Sequence, residues 1–358
     1  MHMSPPTQFL LPLAAHPHVA ALVRRTPLWA ELLTEAHEIG ARTTEIHPLV
    51  ELLLGDDEHD RLRDLEAGLS RLRMSDDISA NFSKRIVNKD ITTQREAASA
   101  LAELYVGGRL AAVGADVEFI PTQSWVTPDI RATRNGVTVT VEMASVNVSD
   151  TDRDADVADA HAFDAARGAK EQPILKRGEY SEHDGGVRIL AKTVAPMGAG
   201  DIAQRVQKLS KKKTDKQLVG HPNPVLCLSF WHQFGVGRSD CLPDSGRDGA
   251  RWSGELYAAT YGRAGDVLFQ ETFKDEPHNQ KKQLNDGMLI ASPILSAVLW
   301  IFKDDRPVLF ESDQLALDKE ARDLLIDALD LYEDKVSRFR REPSHASSTG
   351  APRDPRRR

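Results

Sequence analysis

Asp129 and Glu142 are the two residues of this 358-residue chain best placed to do chemistry. They lie within WVTPDIRATRNGVTVTVEMAS (125–145), where Asn135-Gly136 separates two runs that alternate apolar and polar residues. An Asn-Gly pair between such runs is the strongest short-range signal for a β-hairpin closed by a two-residue type I′ turn. That turn sets Arg134 against Val137 and, counting outward, Asp129 directly against Glu142. Opposed residues share a face, with Cβ atoms roughly 4.5–5.5 Å apart. Two carboxylates at that separation repel each other, so a counter-charge is expected. A divalent cation is one answer, because Mg²⁺ (with Mn²⁺ as a substitute) takes one or two carboxylates together with substrate phosphate oxygens. Arg131, on the same face, is another, neutralising both acids as a surface ion-pair network. A four-residue loop would instead slide the register by two and leave the acids diagonal.

The elements that must position these acids can be read from periodicity. Ile130, Ala132, Val137, Val139 and Val141 point towards a core, and Asp129, Arg131, Thr133, Thr138, Thr140 and Glu142 point the other way. Upstream, residues 91–113 predict a helix, with Thr93-x-x-Glu96 as a capping box and Gly114 as its C-terminal stop. Strands are predicted at 116–120, 128–134 and 137–143. Further on come a Lys/Gln-rich helix over 201–218 and a buried strand over 224–231 (PVLCLSFW). Strands at 254–259 and 296–302, a turn-rich loop at 240–252 and a terminal helix over 316–339 complete the pattern. Residues 18–75 read as helices almost throughout. Helix, strands, helix, strands is an α/β or α+β plan rather than a helical bundle.

Pro128-Asp129 on one strand and Glu142 on the next resemble the PD-(D/E)XK nuclease superfamily, which has the restriction-endonuclease-like fold. The resemblance spans residues 91–235 and implies a mixed sheet flanked by helices, with Asp129 and Glu142 holding Mg²⁺. It also implies a glutamate from the preceding helix. Arg95-Glu96-Ala97-Ala98 matches that element, so Glu96 is the candidate, with Glu103 one or two turns on as a second. One departure is serious. The family's lysine, two residues after the second acid, is here Ala144, which can stabilise neither an attacking hydroxide nor charge on a phosphate. Some members recover a lysine from the following helix, and DIAQRVQKLSKKKTDKQL (201–218) resembles the Lys-x-x-x-Gln-Leu helix that many of them carry. Lys213, or failing it Lys211 or Lys212, would replace the missing lysine. Gln217, four residues on and on the same helical face, would orient phosphate or water.

Net charge is −8, with 46 basic and 54 acidic residues, which taken globally argues against a protein coated in nucleic acid. The basic residues are locally concentrated, however. Arg205, Lys208, Lys211, Lys212, Lys213 and Lys216 share one helix with a single acid, Asp215, from Ala203 onward. Lys208, Lys211, Lys212 and Lys216 are therefore candidate phosphate contacts, or else a solvated helix face. The arginine-rich tail after residue 340 is expected to be disordered.

Other chemistries find little support. Cys227 and Cys241 cannot build a disulfide framework, which favours a reducing cytoplasmic setting. The longest apolar stretch near the C-terminal end, 291–302, is too short to span a bilayer, and the N-terminus lacks the form of a signal peptide. Asp150, Asp152, Asp154 and Asp156 alternate as in a calcium loop, but Ala155 and His161 stand where glycine and glutamate belong. No P-loop, dinucleotide fingerprint or serine-hydrolase elbow occurs.

The expected organisation is an N-terminal helical region (1–90) that could dock a protein partner, a nuclease-like core (91–315), a terminal helix (316–339) and a basic tail (340–358). The expected function is Mg²⁺-dependent hydrolysis of phosphodiester bonds in nucleic acid, DNA in the first instance. The alternatives are a nuclease-like binding or scaffold module that has lost catalysis with its lysine, and an unrelated α/β protein in which Asp129, Arg131 and Glu142 form an ion-pair network.

Overall fold

A computed structural model describes residues 4–40, 47–54, 61–87, 95–120, 127–146, 180–183, 186–189, 201–231, 236–241, 245–247, 250–252, 254–265, 267–271, 279–282, 285–302, 306–331 and 338–340. The predicted capping box at Thr93, the aspartate run at 150–156 and the tail beyond residue 340 lie outside these residues.

The hairpin forms as its sequence demands. Strand β2 (Ile130–Arg134) runs antiparallel to β3 (Val137–Ser145), with Arg134 opposite Val137 and Ile130 opposite Val141. The turn residues Asn135 and Gly136 both adopt positive φ, 53° and 80°, as a type I′ turn requires. On its other edge β2 pairs with β1 (Asp116–Phe119).

Strand β3 then pairs in parallel with β6 (Pro224–Phe230), and β6 in parallel with β11 (Ala297–Phe302). Strand β12 (Val308–Glu311) closes the six-stranded mixed sheet antiparallel to β11, and the short β13 (Arg338–Arg340) extends that edge. The central strands β6 and β11 are buried at every position. Parallel strands covered on both faces are apolar throughout for this reason.

One face of the sheet carries α1 (Thr7–Ala15), α2 (Pro17–Val23), α3 (Trp29–Gly40), α4 (Pro48–Leu54), α5 (Arg61–Leu69), α6 (Asp76–Ile86) and α7 (Arg95–Ala112). Their apolar residues merge with Ile130, Val139, Val141, Val225 and Leu299 into one core. The N-terminal helices thus share a core with the sheet. Helices α5 and α7 approach so closely that a Cβ on Gly68 would lie 2.6 Å from the Cα of Gly108. Gly114, at φ 86°, ends α7 as expected.

The other face is covered by α8 (Asp201–Gln217), α9 (Glu255–Tyr261) and α10 (Met288–Ala291), over a core that includes Ala144, Leu226, Phe230, Trp300 and Phe310. Smaller β elements lie outside this sheet: the hairpin β4 (Tyr180–His183) with β5 (Gly186–Ile189), and an antiparallel sheet of β7 (Ser245–Arg247), β8 (Ala250–Trp252), β9 (Val267–Glu271) and β10 (Asn279–Lys282). Strands β7 and β8 occupy the segment expected to be a turn-rich loop, after a 3₁₀ turn at Arg238–Cys241.

Two expectations need correction. Residues 254–259 are not a strand but the start of α9, whose side chains Leu256, Ala258, Ala259, Thr260 and Tyr261 are all buried. A short apolar run bounded by glycines has no periodicity to separate strand from buried helix. The terminal helix, α11 (Lys319–Leu329), is also shorter than 316–339, because Asp330 turns into the left-handed region at φ 50° and ends it. Arg338–Arg340 then adds to the sheet, where a continued helix or the start of a disordered tail had been expected.

Candidate functional site

The β2–β3 ladder ends one residue short of the acids. Its last pair is Ile130 with Val141, and the same register would set Met143 against Pro128. Proline has no N–H to return to the ladder, so pairing stops there. Asp129 keeps its backbone bond to β1, accepting from the Ile120 N–H at 3.0 Å. Its side chain replaces the missing strand partner: Oδ2 of Asp129 accepts a hydrogen bond from the Met143 N–H at 2.8 Å. The carboxylate expected to face Glu142 is thus anchored to the residue beside Glu142.

Glu142 has no exposed surface and points to the α8 side of β3. Lys213 reaches it from α8, with Nζ 2.5 Å from Oε1. The second oxygen, Oε2, is buried and receives no hydrogen bond from an N–H or hydroxyl donor, while the Asp129 carboxyl lies within hydrogen-bonding reach of Glu142. Gln217, one turn beyond Lys213, donates through Nε2 to the Thr127 carbonyl at 3.3 Å. It braces the Thr127-Pro128-Asp129 segment.

Arg131 is committed elsewhere, pairing with Glu118 on β1 at 2.9 Å. The cation that offsets the acids is Lys213, so the surface network centred on Arg131 is not what forms.

The electrostatics match this crowding. Burial pushes the Asp129 carboxyl up to about 6, with the Glu103 charge adding to the effect and Lys213 opposing it. Burial and the neighbouring Asp129 push Glu142 up to about 8, again against Lys213. Burial disfavours the ammonium of Lys213, yet Glu142 and Asp129 hold it above the ordinary lysine value. Two carboxyls this close can hydrogen-bond to each other only if one keeps a proton.

Of the two helix glutamates, Glu103 lies near the pair. It is buried on α7 and held by Arg85 of α6 through contacts of 2.7 and 2.5 Å, with Ser99 Oγ donating at 3.2 Å. Glu96 is exposed on the first turn of α7, where its charge acts on Arg85. Sequence reasoning ranked these two the other way round because Glu96 fits the family spacing. The better signal was burial: Glu103 is flanked by Ala102 and Leu104 on the apolar side of the helix. Lys208 and Lys211 are exposed on α8, while Lys212 and Lys216 have side chains outside the described residues.

A hard divalent cation fits this donor set. Two oxygen-only groups stand together, and burial and neighbouring negative charge disfavour their ionisation, a cost that a bound cation would offset. Among the described residues, no group of three or more His, Cys, Asp or Glu side chains is arranged to hold a metal. Asp129 and Glu142 are the residues that would hold such an ion. None of the described helices is long and apolar enough to cross a membrane.

No family model, curated protein or solved structure matches the chain. What the site can do is accordingly read from its own geometry: a buried Glu142 beside a half-buried Asp129, a helix-borne lysine and a braced Thr127-Pro128-Asp129 segment at one end of a mixed sheet.

Proposed function

We propose that this protein is a Mg²⁺-dependent phosphodiesterase of the PD-(D/E)XK type, with a restriction-endonuclease-like core, acting on nucleic acid and in the first instance on DNA. The observation that carries the reading is the lysine. Strand β3 has Ala144 where such a site needs a cation, and α8 delivers the Lys213 ammonium to the same carboxylate from across the sheet face.

In this reading Asp129 and Glu142 hold the ion, Mg²⁺ or Mn²⁺. Once bound, it would lower the pKa of a water and offset negative charge on the phosphate. Lys213 is the positive group that can turn from Glu142 to the reacting phosphate, where a donor of this kind is often worth several kcal/mol. Gln217 keeps Asp129 in place through Thr127. Lys208 and Lys211, exposed on the helix that carries Lys213, can follow a phosphate backbone.

The test is an assay of the purified protein on single- and double-stranded DNA and on RNA, with Mg²⁺, Mn²⁺ or EDTA. Cleavage that requires the metal and disappears in both Asp129→Ala and Glu142→Ala is expected. Cleavage retained in both variants would refute the reading.

A second reading, a nuclease-like module that binds or scaffolds without cutting, has Ala144 in its favour. That residue is packed in the core with Val206 and Leu226, so β3 itself offers no cation. Metal-independent binding of nucleic acid with no cleavage of any substrate would favour it.

A further inference from the structure

Resting on the metal-binding reading above, we infer that Lys213 is the resident counter-ion of the site. Its ammonium holds Glu142 whenever no divalent cation is bound, the cation must displace it to enter, and only the displaced lysine is free to meet a phosphate.

Glu142 has no exposed surface, and Lys213 Nζ lies 2.5 Å from its Oε1. Among the described residues, Lys213 is the one nitrogen donor to this carboxylate. A cation that takes Glu142 as a ligand therefore meets a positive charge already seated there. Between buried groups such repulsion is weakly screened, so the two cations compete for the carboxylate and do not share it. The neighbouring positions offer no substitute: Ala144 is packed in the core, and Arg131 pairs with Glu118.

The helix can stay while the side chain leaves. Val206, Ser210 and Thr214 are buried at four-residue spacing along α8, with Leu218 following, and the Thr214 hydroxyl donates to the Ser210 carbonyl at 2.9 Å. Gln217 ties the end of the helix to Thr127. None of these anchors involves Lys213, whose side chain is 28% exposed and reaches Glu142 on a flexible stem. Displacement thus breaks one ion pair and moves one side chain. Since a single ammonium cannot face both Glu142 and a phosphate, metal entry and release of the lysine are one event, which makes the metal the first ligand to bind.

The test uses the full chain in two measurements. Mn²⁺ alone is titrated by calorimetry, and Mg²⁺ alone is added to protein labelled with ¹⁵N-lysine and observed by nuclear magnetic resonance. Wild type is expected to bind one Mn²⁺, lost in Asp129→Ala. Removing the competing charge in Lys213→Met should tighten Mn²⁺ binding by about fivefold or more, although cleavage falls in the same variant. An ammonium held in an ion pair keeps its N–H signal, whereas a solvated one loses it to exchange with water. Metal-free wild type should therefore show a Lys213 ammonium signal, identified by its absence in Lys213→Arg, and saturating Mg²⁺ should abolish it.

Lys213→Met binding no more tightly than wild type overturns the inference. So does a Lys213 ammonium signal that is missing without metal, or one that persists at saturating Mg²⁺, which would mean that the lysine acts through its field and is not displaced. Any of these results beside metal-dependent cleavage would leave the proposed function standing. If Lys213→Met does not fold, the wild-type ammonium signal decides. No Mn²⁺ binding by wild type and Lys213→Met alike would refute the metal site, and with it the proposed function.

Discussion

Lys213 and Glu142 are 71 residues apart in the chain and 2.5 Å apart in the folded protein. A long-range pair of this kind couples the placement of α8 on the sheet to the charge state of β3. Lys213→Met should lower any metal-dependent cleavage by about 10²–10³-fold, the range for loss of one preorganised donor. It should also destabilise the protein at neutral pH by about 1–3 kcal/mol, less than for a fully buried pair because the ammonium is 28% exposed. Steady-state assays and urea denaturation, each compared with Lys213→Arg, check both effects.

The acid pair makes a prediction about pH. Asp129 and Glu142 have folded-state values raised from ordinary carboxyl values of 3.8 and 4.5 to about 6 and about 8. A raised carboxyl binds its proton more tightly in the folded state. Its contribution is therefore full below the ordinary value and lost as pH rises through the raised one. Without metal, the protein should lose stability between about pH 4 and pH 8, by an amount on the order of a few kcal/mol. Lys213 stays charged across this window and does not reverse the sign. Thermal melts from pH 4.5 to 8.5 should show the loss in wild type and a flatter profile in Glu142→Gln.

Under the proposed function, Mg²⁺ would compete with those protons. The ion should raise the melting temperature markedly at pH 8 and little at pH 5, and EDTA should abolish the difference. An equal shift at both pH values would separate the ion's binding from Asp129 and Glu142.

The crossing of α5 and α7 is limited by two glycines. Gly68→Ala places a methyl group 2.6 Å from the Gly108 Cα, where only backbone can move. Overpacking of this kind costs about 1–3 kcal/mol. Chemical denaturation should show a loss of that size, and the mirror change Gly108→Ala a similar one.

If nucleic acid binds along α8, Lys208 and Lys211 contribute through phosphate attraction alone. The double change Lys208→Ala/Lys211→Ala should weaken binding evenly across sequences and reduce the slope of log affinity against log salt by up to about 2. Fluorescence anisotropy from 50 to 300 mM salt would measure it. An unchanged slope would assign these lysines to solvent.

How much of this was legible beforehand differs from element to element. The Asn135-Gly136 turn determined the register of β2 and β3, since only positive φ at both positions closes a two-residue hairpin with the right twist. Lys213 could be found because four-residue spacing placed it with Gln217 on one helical face. The ladder's early end was written in Pro128, a signal missed by counting opposed pairs as far as Asp129 without weighing that the next residue has no N–H. The choice of Glu103 over Glu96 depended on which turn of α7 faces α6, a tertiary fact absent from local spacing. Helix α9 and the end of α11 were misread because short apolar runs, and an aspartate entering the left-handed region, carry no periodic mark.

The bond from the Met143 N–H to Asp129 has one more implication. A ladder normally ends on a backbone partner that no substitution can remove, but on the β2 side of β3 the last rung is a side chain, while the β6 side stays backbone-paired through Ser145. A ligand drawn to Asp129 under the proposed function would thus break the same hydrogen bond that holds the β2-facing edge of β3. Amide exchange at Met143 becomes a direct gauge of the site: slow while the carboxylate faces the strand, and faster when it is called away.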